Sequence, residues 1–139
     1  LISAYNIKTR KEAIDVFKKE TKKEYHYIVA EDKGKILGIV TWQMHGLPKH
    51  QLVELDRIAV LPENRGKGVA EKLVKALIND ATNEYRKYGT KLRKLYLLTH
   101  KDNIHAQEFY KKVGFKFEAT LKDHFYKGKD EFVMSMFFD

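Results

Sequence analysis

Arg65-Gly66-Lys67-Gly68 sets two cations among two glycines, immediately before an apolar-periodic run that opens at Val69. The first turn of a helix has backbone N–H groups with no intrahelical partner, and the helix dipole gives that end partial positive charge. Glycines let a ligand come close to the backbone. Such a loop suits an anion, most simply a phosphate or pyrophosphate held by Arg65, Gly66, Lys67, Gly68, Val69 and Ala70. The same residues would also serve as a plain strand-to-helix turn. A second candidate lies just upstream, where Glu54 and Asp56 alternate with apolar residues. Alternation places both carboxylates on one face of a strand, where each would raise the other's pKa and suit a base working near neutrality. The competing role for the pair is a salt-bridged strand end, with Arg57 or a lysine as partner.

The elements that must position these residues are legible around them. In LVELDRIAVLPENRGKGVAEKLVKAL, Leu52–Val60 has strand length and strand composition. The segment 61–68, with Pro62, Asn64, Gly66 and Gly68, is a loop. Val69/Ala70, Leu73/Val74, Leu77/Ile78 and Ala81 draw one apolar stripe on a helix, which Lys87-Tyr88-Gly89 stops. Upstream, 1–7 is a first strand and Thr9 with Glu12 forms a capping box. Ala13, Ile14 and Phe17 begin a short helix with a charged end over 18–24. Tyr25–Ala30 and Ile36–Met44 form a hairpin around Asp32-Lys33-Gly34-Lys35. Downstream come a strand over 92–99 and a helix over 103–113 ended by Gly114. A closing hairpin, 115–122 with 131–138, turns at Lys127-Gly128-Lys129. With no repeat, low-complexity tract or linker, the 139 residues read as one domain with a mixed sheet and helices on its faces.

Composition narrows the chemistry. Without cysteine the chain has no disulfide, thiolate metal site or covalent cysteine mechanism. The six histidines, His26, His45, His50, His100, His105 and His124, are scattered and none has metal-ligand spacing, so no metal is expected. His100, at the end of a strand, is an alternative base or a surface residue. The net charge of +8 favours anionic partners. The lysines, however, are spread through the chain rather than gathered in one block, so nucleic acid is not the expected partner. No apolar run approaches membrane-spanning length and no signal peptide is visible, so a cytoplasmic protein is expected.

Two better-known phosphate loops fail here. Gly66-Lys67-Gly68 does not supply a Walker loop, and Gly66-Lys67-Gly68-Val69-Ala70-Glu71 ends in Glu where the dinucleotide fingerprint needs Gly. A third pattern fits. Val60 to Ala70 resembles the acyl-coenzyme A loop of the GNAT superfamily of N-acetyltransferases, Gln/Arg-x-x-Gly-x-Gly/Ala, with Arg65, Gly68 and Ala70 at the defined positions. Asn103-Ile104-His105-Ala106-Gln107-Glu108-Phe109-Tyr110-Lys111-Lys112-Val113-Gly114-Phe115 resembles the family's Asn-x-x-Ala-x-x-Phe-Tyr-x-x-x-Gly-Phe at every defined position. It lies one strand after the first motif, as in the family. The likeness is strong over about 52–117 and weaker elsewhere.

The resemblance implies an α/β (α+β) fold with a mixed, mostly antiparallel sheet of about six to seven strands, splayed in the middle, with helices on both faces. Acetyl-CoA would lie in the splay as cosubstrate. Its pyrophosphate would take the N–H groups of Arg65 to Ala70, and its pantetheine arm would run beside Ile58, Ala59 and Val60. The implied reaction is acetyl transfer to a primary amine by direct attack in a ternary complex. Tyr110 would be the acid at the departing sulfur; on residues alone it could equally be core. Some family members place a catalytic Glu where Glu54 stands, and Asp56 is the second candidate base. Asn103 would either bind the cofactor or cap its helix. The backbone N–H of Ile58 or a neighbour would serve the thioester oxygen. Members that acetylate ribosomal proteins carry a Glu where this chain has Leu98, so a small-molecule amine and a peptide N-terminus both stand as acceptors. A longer acyl donor would depend on space around Val40 and Trp42. The alternative outside catalysis is a coenzyme A- or RNA-binding module. A homodimer is consistent with the family.

Overall fold

The computed structural model describes Lys11, Ile14 and residues 25–139. The first strand, the capping box and the short helix expected before residue 25 lie outside the described residues. Among the described residues, six strands form one sheet: β1 (Tyr25–Asp32), β2 (Lys35–His45), β3 (Leu52–Val60), β4 (Lys94–His100), β5 (Lys116–Tyr126) and β6 (Lys129–Phe137). Two helices, α1 (Val69–Arg86) and α2 (Ile104–Lys112), connect β3 to β4 and β4 to β5. The order across the sheet is β1-β2-β3-β4-β6-β5.

Every neighbouring pair is antiparallel except β3 with β4. That parallel pairing runs through Leu52–Lys94 and Val53–Leu95 and ends at Glu54–Tyr96. Beyond it β3 keeps its bonds to β2 as far as Gly38–Val60, and β4 keeps its bonds to β6 as far as His100–Glu131. The two halves of the sheet therefore part after Glu54. The expected splay is present, and its vertex is at that residue.

The register between β2 and β3 also shifts there. Trp42 opposes Leu55 and Thr41 opposes Arg57, so Asp56 is the extra residue of a β-bulge. On the vertex side of the bulge Val53 and Leu55 face the core. Past it, Ile58 and Val60 pack against the core instead. The simple alternation expected for the whole strand thus holds up to Asp56 and changes parity afterwards.

The core forms where α1 lays Leu73, Val74, Leu77, Ala81 and Tyr85 against Val40, Trp42, Val53 and Leu55. Leu95, Leu97, Phe115 and Met134 extend it, and Phe109, Tyr110 and Val113 of α2 pack on the same cluster. Both described helices therefore share one core. Val40 and Trp42, named with the space a longer acyl group would need, are fully buried in it. Both helices stop by the same hydrogen-bond pattern. Thr90 N–H donates to Tyr85 O and Gly89 N–H to Arg86 O; Phe115 N–H donates to Tyr110 O and Gly114 N–H to Lys111 O. Among the described residues, no helix is long and apolar enough to cross a membrane.

Candidate active site

At the vertex, Glu54 collects partners from both neighbouring strands. Gln43 is its register partner on β2 and Tyr96 its register partner on β4. Gln43 Nε2–H donates to Glu54 Oε1 at 3.2 Å, and the Tyr96 hydroxyl donates to the same oxygen at 3.3 Å. His45, two residues along β2 from Gln43, brings Nε2 to 2.7 Å from Oε1. Its ring lies tilted against Tyr96, with centroids 5.6 Å apart. The Glu54 side chain keeps 15% of its surface exposed and His45 keeps 35%, so the cluster is sheltered yet reachable. Burial, followed by the charge and hydrogen bond of Glu54, holds the Tyr96 phenol well above the usual range.

Asp56 sits in the bulge with Arg57 Nε 3.6 Å from its Oδ2, an oxygen closed off from solvent. Of the two sequence candidates for a base, Glu54 is joined to Gln43, His45 and Tyr96. The pairing continues across the sheet. Tyr96 opposes Ser135, Leu98 opposes Val133, and His100 opposes Glu131. His100 Nδ1 is tied to the buried Glu131 carboxylate, which occupies the expected alternative base at the far end of β4.

At the other end of β3 lies the glycine loop. A 3-10 turn over Pro62–Asn64 is followed by Arg65, whose guanidinium Nε donates to Val60 O at 3.2 Å. Arg65 N–H is taken by Pro62 O, so the loop's open donors begin one residue later than expected. Lys72 N–H closes the first helical turn on Gly68 O, and no side chain caps the helix. The N–H groups of Gly66, Lys67, Gly68, Val69, Ala70 and Glu71 consequently have no backbone acceptor among the described residues. Gly66 and Gly68 adopt φ of 77° and 78°. A Cβ at either would meet nothing within 4 Å, so space for a ligand lies directly above the backbone. Positive φ disfavours other residues there. The free donors, the two cations and the open space fit an anionic pyrophosphate. Between loop and vertex, Ile58, Ala59 and Val60 belong to the stretch of β3 that β4 leaves unpaired, which fits an extended arm laid beside them.

α2 brings the second motif to the splay. Asn103 is its N-cap, and its Oδ1 accepts from Ala106 N–H at 3.1 Å, which is the capping role expected as one of two. Its side-chain amide donors are left for other use. Tyr110 lies tilted against Phe109 and edge-on to Phe115, and burial pushes its phenol up to about 12. Its hydroxyl has no hydrogen bond among the described residues, and no contact joins it to Glu54.

Several neighbours of the candidate residues were not named from the sequence as site residues. Gln43, His45 and Tyr96 reach Glu54 only through strand pairing. Gln107, buried on α2, donates through Nε2 to His100 O at 3.0 Å and to Lys101 O at 2.8 Å, fastening the helix to the end of β4. No cluster of His, Asp or Glu among the described residues could hold a metal ion.

With this geometry in hand, comparison with known proteins is informative. Residues 2–115 match the model of the acetyltransferase (GNAT) family. The chain is 32% identical over 109 residues to the spermine/spermidine N(1)-acetyltransferase of Bacillus subtilis, covering 73% of this chain and 68% of that protein. It is 33% identical over 108 residues to an N-alpha-acetyltransferase of Saccharolobus solfataricus, covering 73% and 60%. A GNAT family acetyltransferase from Elizabethkingia anophelis, solved with acetyl-CoA bound, shares the fold with a TM-score of 0.73 and 18% identity, covering 89% of this chain and 82% of that one.

Proposed function

The chain belongs to the acetyltransferase (GNAT) family, and from that premise we propose that it transfers the acetyl group of acetyl-CoA to a small cationic primary amine, with Glu54 as base and Tyr110 as acid. The observation that carries this reading is the line from loop to vertex. Val60 lies six positions along β3 from Glu54, about 20 Å at 3.3 Å per residue. That stretch joins an anion-binding loop at one end to a carboxylate at the other, along an unpaired strand edge.

Acetyl-CoA supplies the acetyl thioester when bound. The chain's residues then have separate tasks. The loop N–H groups of residues 66–70 hold the phosphates, with Arg65 and Lys67 adding charge. The edge of β3 at Ile58, Ala59 and Val60 orients the arm. A primary amine is a nucleophile only when neutral, so the Glu54 carboxylate first takes a proton from the ammonium. The N–C bond forms as the C–S bond breaks, the departing sulfur takes the Tyr110 hydroxyl proton, the second proton shed by the acylated nitrogen restores the Tyr110 phenol, and the first leaves Glu54 to solvent. A phenol held near 12 keeps that proton at neutral pH, which is the state an acid needs.

The test is turnover by the purified chain with acetyl-CoA and a panel of amines: spermidine, spermine, an amino sugar and a peptide with a free N-terminus. Acetylation of the polyamines with no activity on the peptide supports the reading. Activity confined to the peptide replaces the acceptor class, and no turnover with any amine removes the enzymatic reading. Calorimetric titration with acetyl-CoA, beside a Gly68→Glu variant, checks the loop separately.

A further inference from the structure

The hydrogen bonds to Glu54 are unevenly shared between its oxygens. Gln43 Nε2, the Tyr96 hydroxyl and His45 Nε2 all converge on Oε1. No described residue bonds Oε2, and that atom is not among those sealed off without a partner. The two bonds from Gln43 and Tyr96 are long, at 3.2 and 3.3 Å, whereas His45 approaches to 2.7 Å. The strongest tether on the carboxylate is therefore a histidine that the reaction itself does not require. The His45 ring is braced in turn by Tyr96.

We infer that His45 is a positioning residue: it donates its Nε2–H to Glu54 Oε1 and so fixes the carboxylate with Oε2 presented as the oxygen that receives the acceptor's ammonium proton. This rests on the reading of Glu54 as base. Oε1 already accepts from an amide and a phenol, so the third partner is also a donor, which sets the His45 tautomer. Without the tether only the two long bonds from Gln43 and Tyr96 restrain the carboxylate, and Oε2 is held less firmly at one place. Misplacement of a catalytic group by about 1 Å can cost on the order of 100-fold in rate. Glu54 would still be present and chemically competent, so the loss falls on kcat and leaves acetyl-CoA binding alone.

Two measurements test this. In the first, chain labelled with ¹⁵N-histidine is examined by long-range ¹⁵N–¹H correlation at mildly alkaline pH, with assignment by a His45→Gln variant. A His45 carrying its proton on Nε2, with shifts that move in Glu54→Gln, is the expected result. A His45 protonated only on Nδ1, accepting at Nε2, overturns the inference. In the second, kcat and KM are measured with acetyl-CoA and the best amine of the panel. His45→Leu is expected to lower kcat by roughly 10- to 100-fold with an unchanged KM for acetyl-CoA. His45→Gln, which restores an N–H donor, is expected to recover most of the loss. A fully active His45→Leu, or a His45→Gln as slow as His45→Leu with both folded by circular dichroism, overturns it. A wild type inactive on every amine refutes the catalytic reading instead, while the tautomer measurement still decides the tether.

Discussion

Replacing Glu54 with Gln keeps the side chain's shape and removes its charge and its basicity. The structure sets what should and should not change. The amide oxygen can still accept from Gln43, Tyr96 and His45, so the network survives in weakened form. Charge-assisted bonds are worth roughly 1.5–3 kcal/mol against about 1 kcal/mol for neutral ones. Only the 2.7 Å contact with His45 is short enough to lose that full difference. The expected destabilisation is about 1–2 kcal/mol, a fall of a few degrees in Tm. Turnover should fall far more. A positioned base contributes roughly 10²–10⁴-fold, or about 3–5 kcal/mol of barrier at 1.36 kcal/mol per decade. The pH dependence separates the two effects. The variant depends on amine that is already neutral in solution, so its rate should climb about tenfold per pH unit up to the pKa of the amine, where the wild type levels off. Thiol release can be followed with a disulfide reagent, because the chain has no cysteine to react. An internal control is available in Tyr96, whose phenol is raised in part by Glu54. Its ultraviolet titration should move down toward the ordinary range in the variant. A Glu54→Gln protein with the Tyr96 shift but near wild-type kcat and an unchanged pH profile would refute Glu54 as the base.

Tyr110→Phe should lower kcat by roughly 100-fold with little change in KM, the measure of an acid at the leaving group. It should also flatten the alkaline end of the stability curve. The folded phenol titrates near 12 against 10 unfolded, so its stabilisation is complete below pH 10 and is lost as pH rises through 12. The wild type should lose about 3 kcal/mol more than Tyr110→Phe across that window, read by denaturant titration. Gly68→Ala forces an L-residue to φ 78°, at a cost of about 1–2 kcal/mol, and places a methyl where a phosphate would approach. Calorimetry should show weakened acetyl-CoA binding by a chain that still folds. Gly38→Ala would put a Cβ 2.8 Å from Ala59 O, so a shift of backbone between β2 and β3 and a loss of roughly 1–3 kcal/mol are expected in thermal melts.

Much of the described fold was legible because its signals are local. Leu52–Val60 is a strand, and α1 opens at Val69, as the composition and apolar stripe require. The glycine stops of both helices and the Lys33-Gly34 and Lys127-Gly128 turns of the hairpins stand where the sequence places them. Boundaries drifted by one to a few residues: the strand expected over 92–99 is Lys94–His100, and the closing hairpin runs on to Tyr126. Strand ends depend on which neighbour offers hydrogen bonds, which no local pattern encodes.

By itself the sequence put forward the glycine loop as an anion site, because consecutive N–H groups, glycines and cations are written in consecutive residues. It also determined the second motif, and it put Glu54 forward as a base. Only the tertiary structure decided what surrounds Glu54. Gln43 and His45 lie 11 and 9 residues before Glu54, and Tyr96 lies 42 after it, so their meeting depends on the register of two different strand pairs. The same is true of the vertex itself. Parallel pairing stops at Glu54 because the sheet parts there, and a bulge at Asp56 breaks the alternation that would have made the two carboxylates equivalent. Periodicity along one chain sets which face a residue takes; pairing between strands sets what it meets on that face, and the chemistry of Glu54 depends on what it meets.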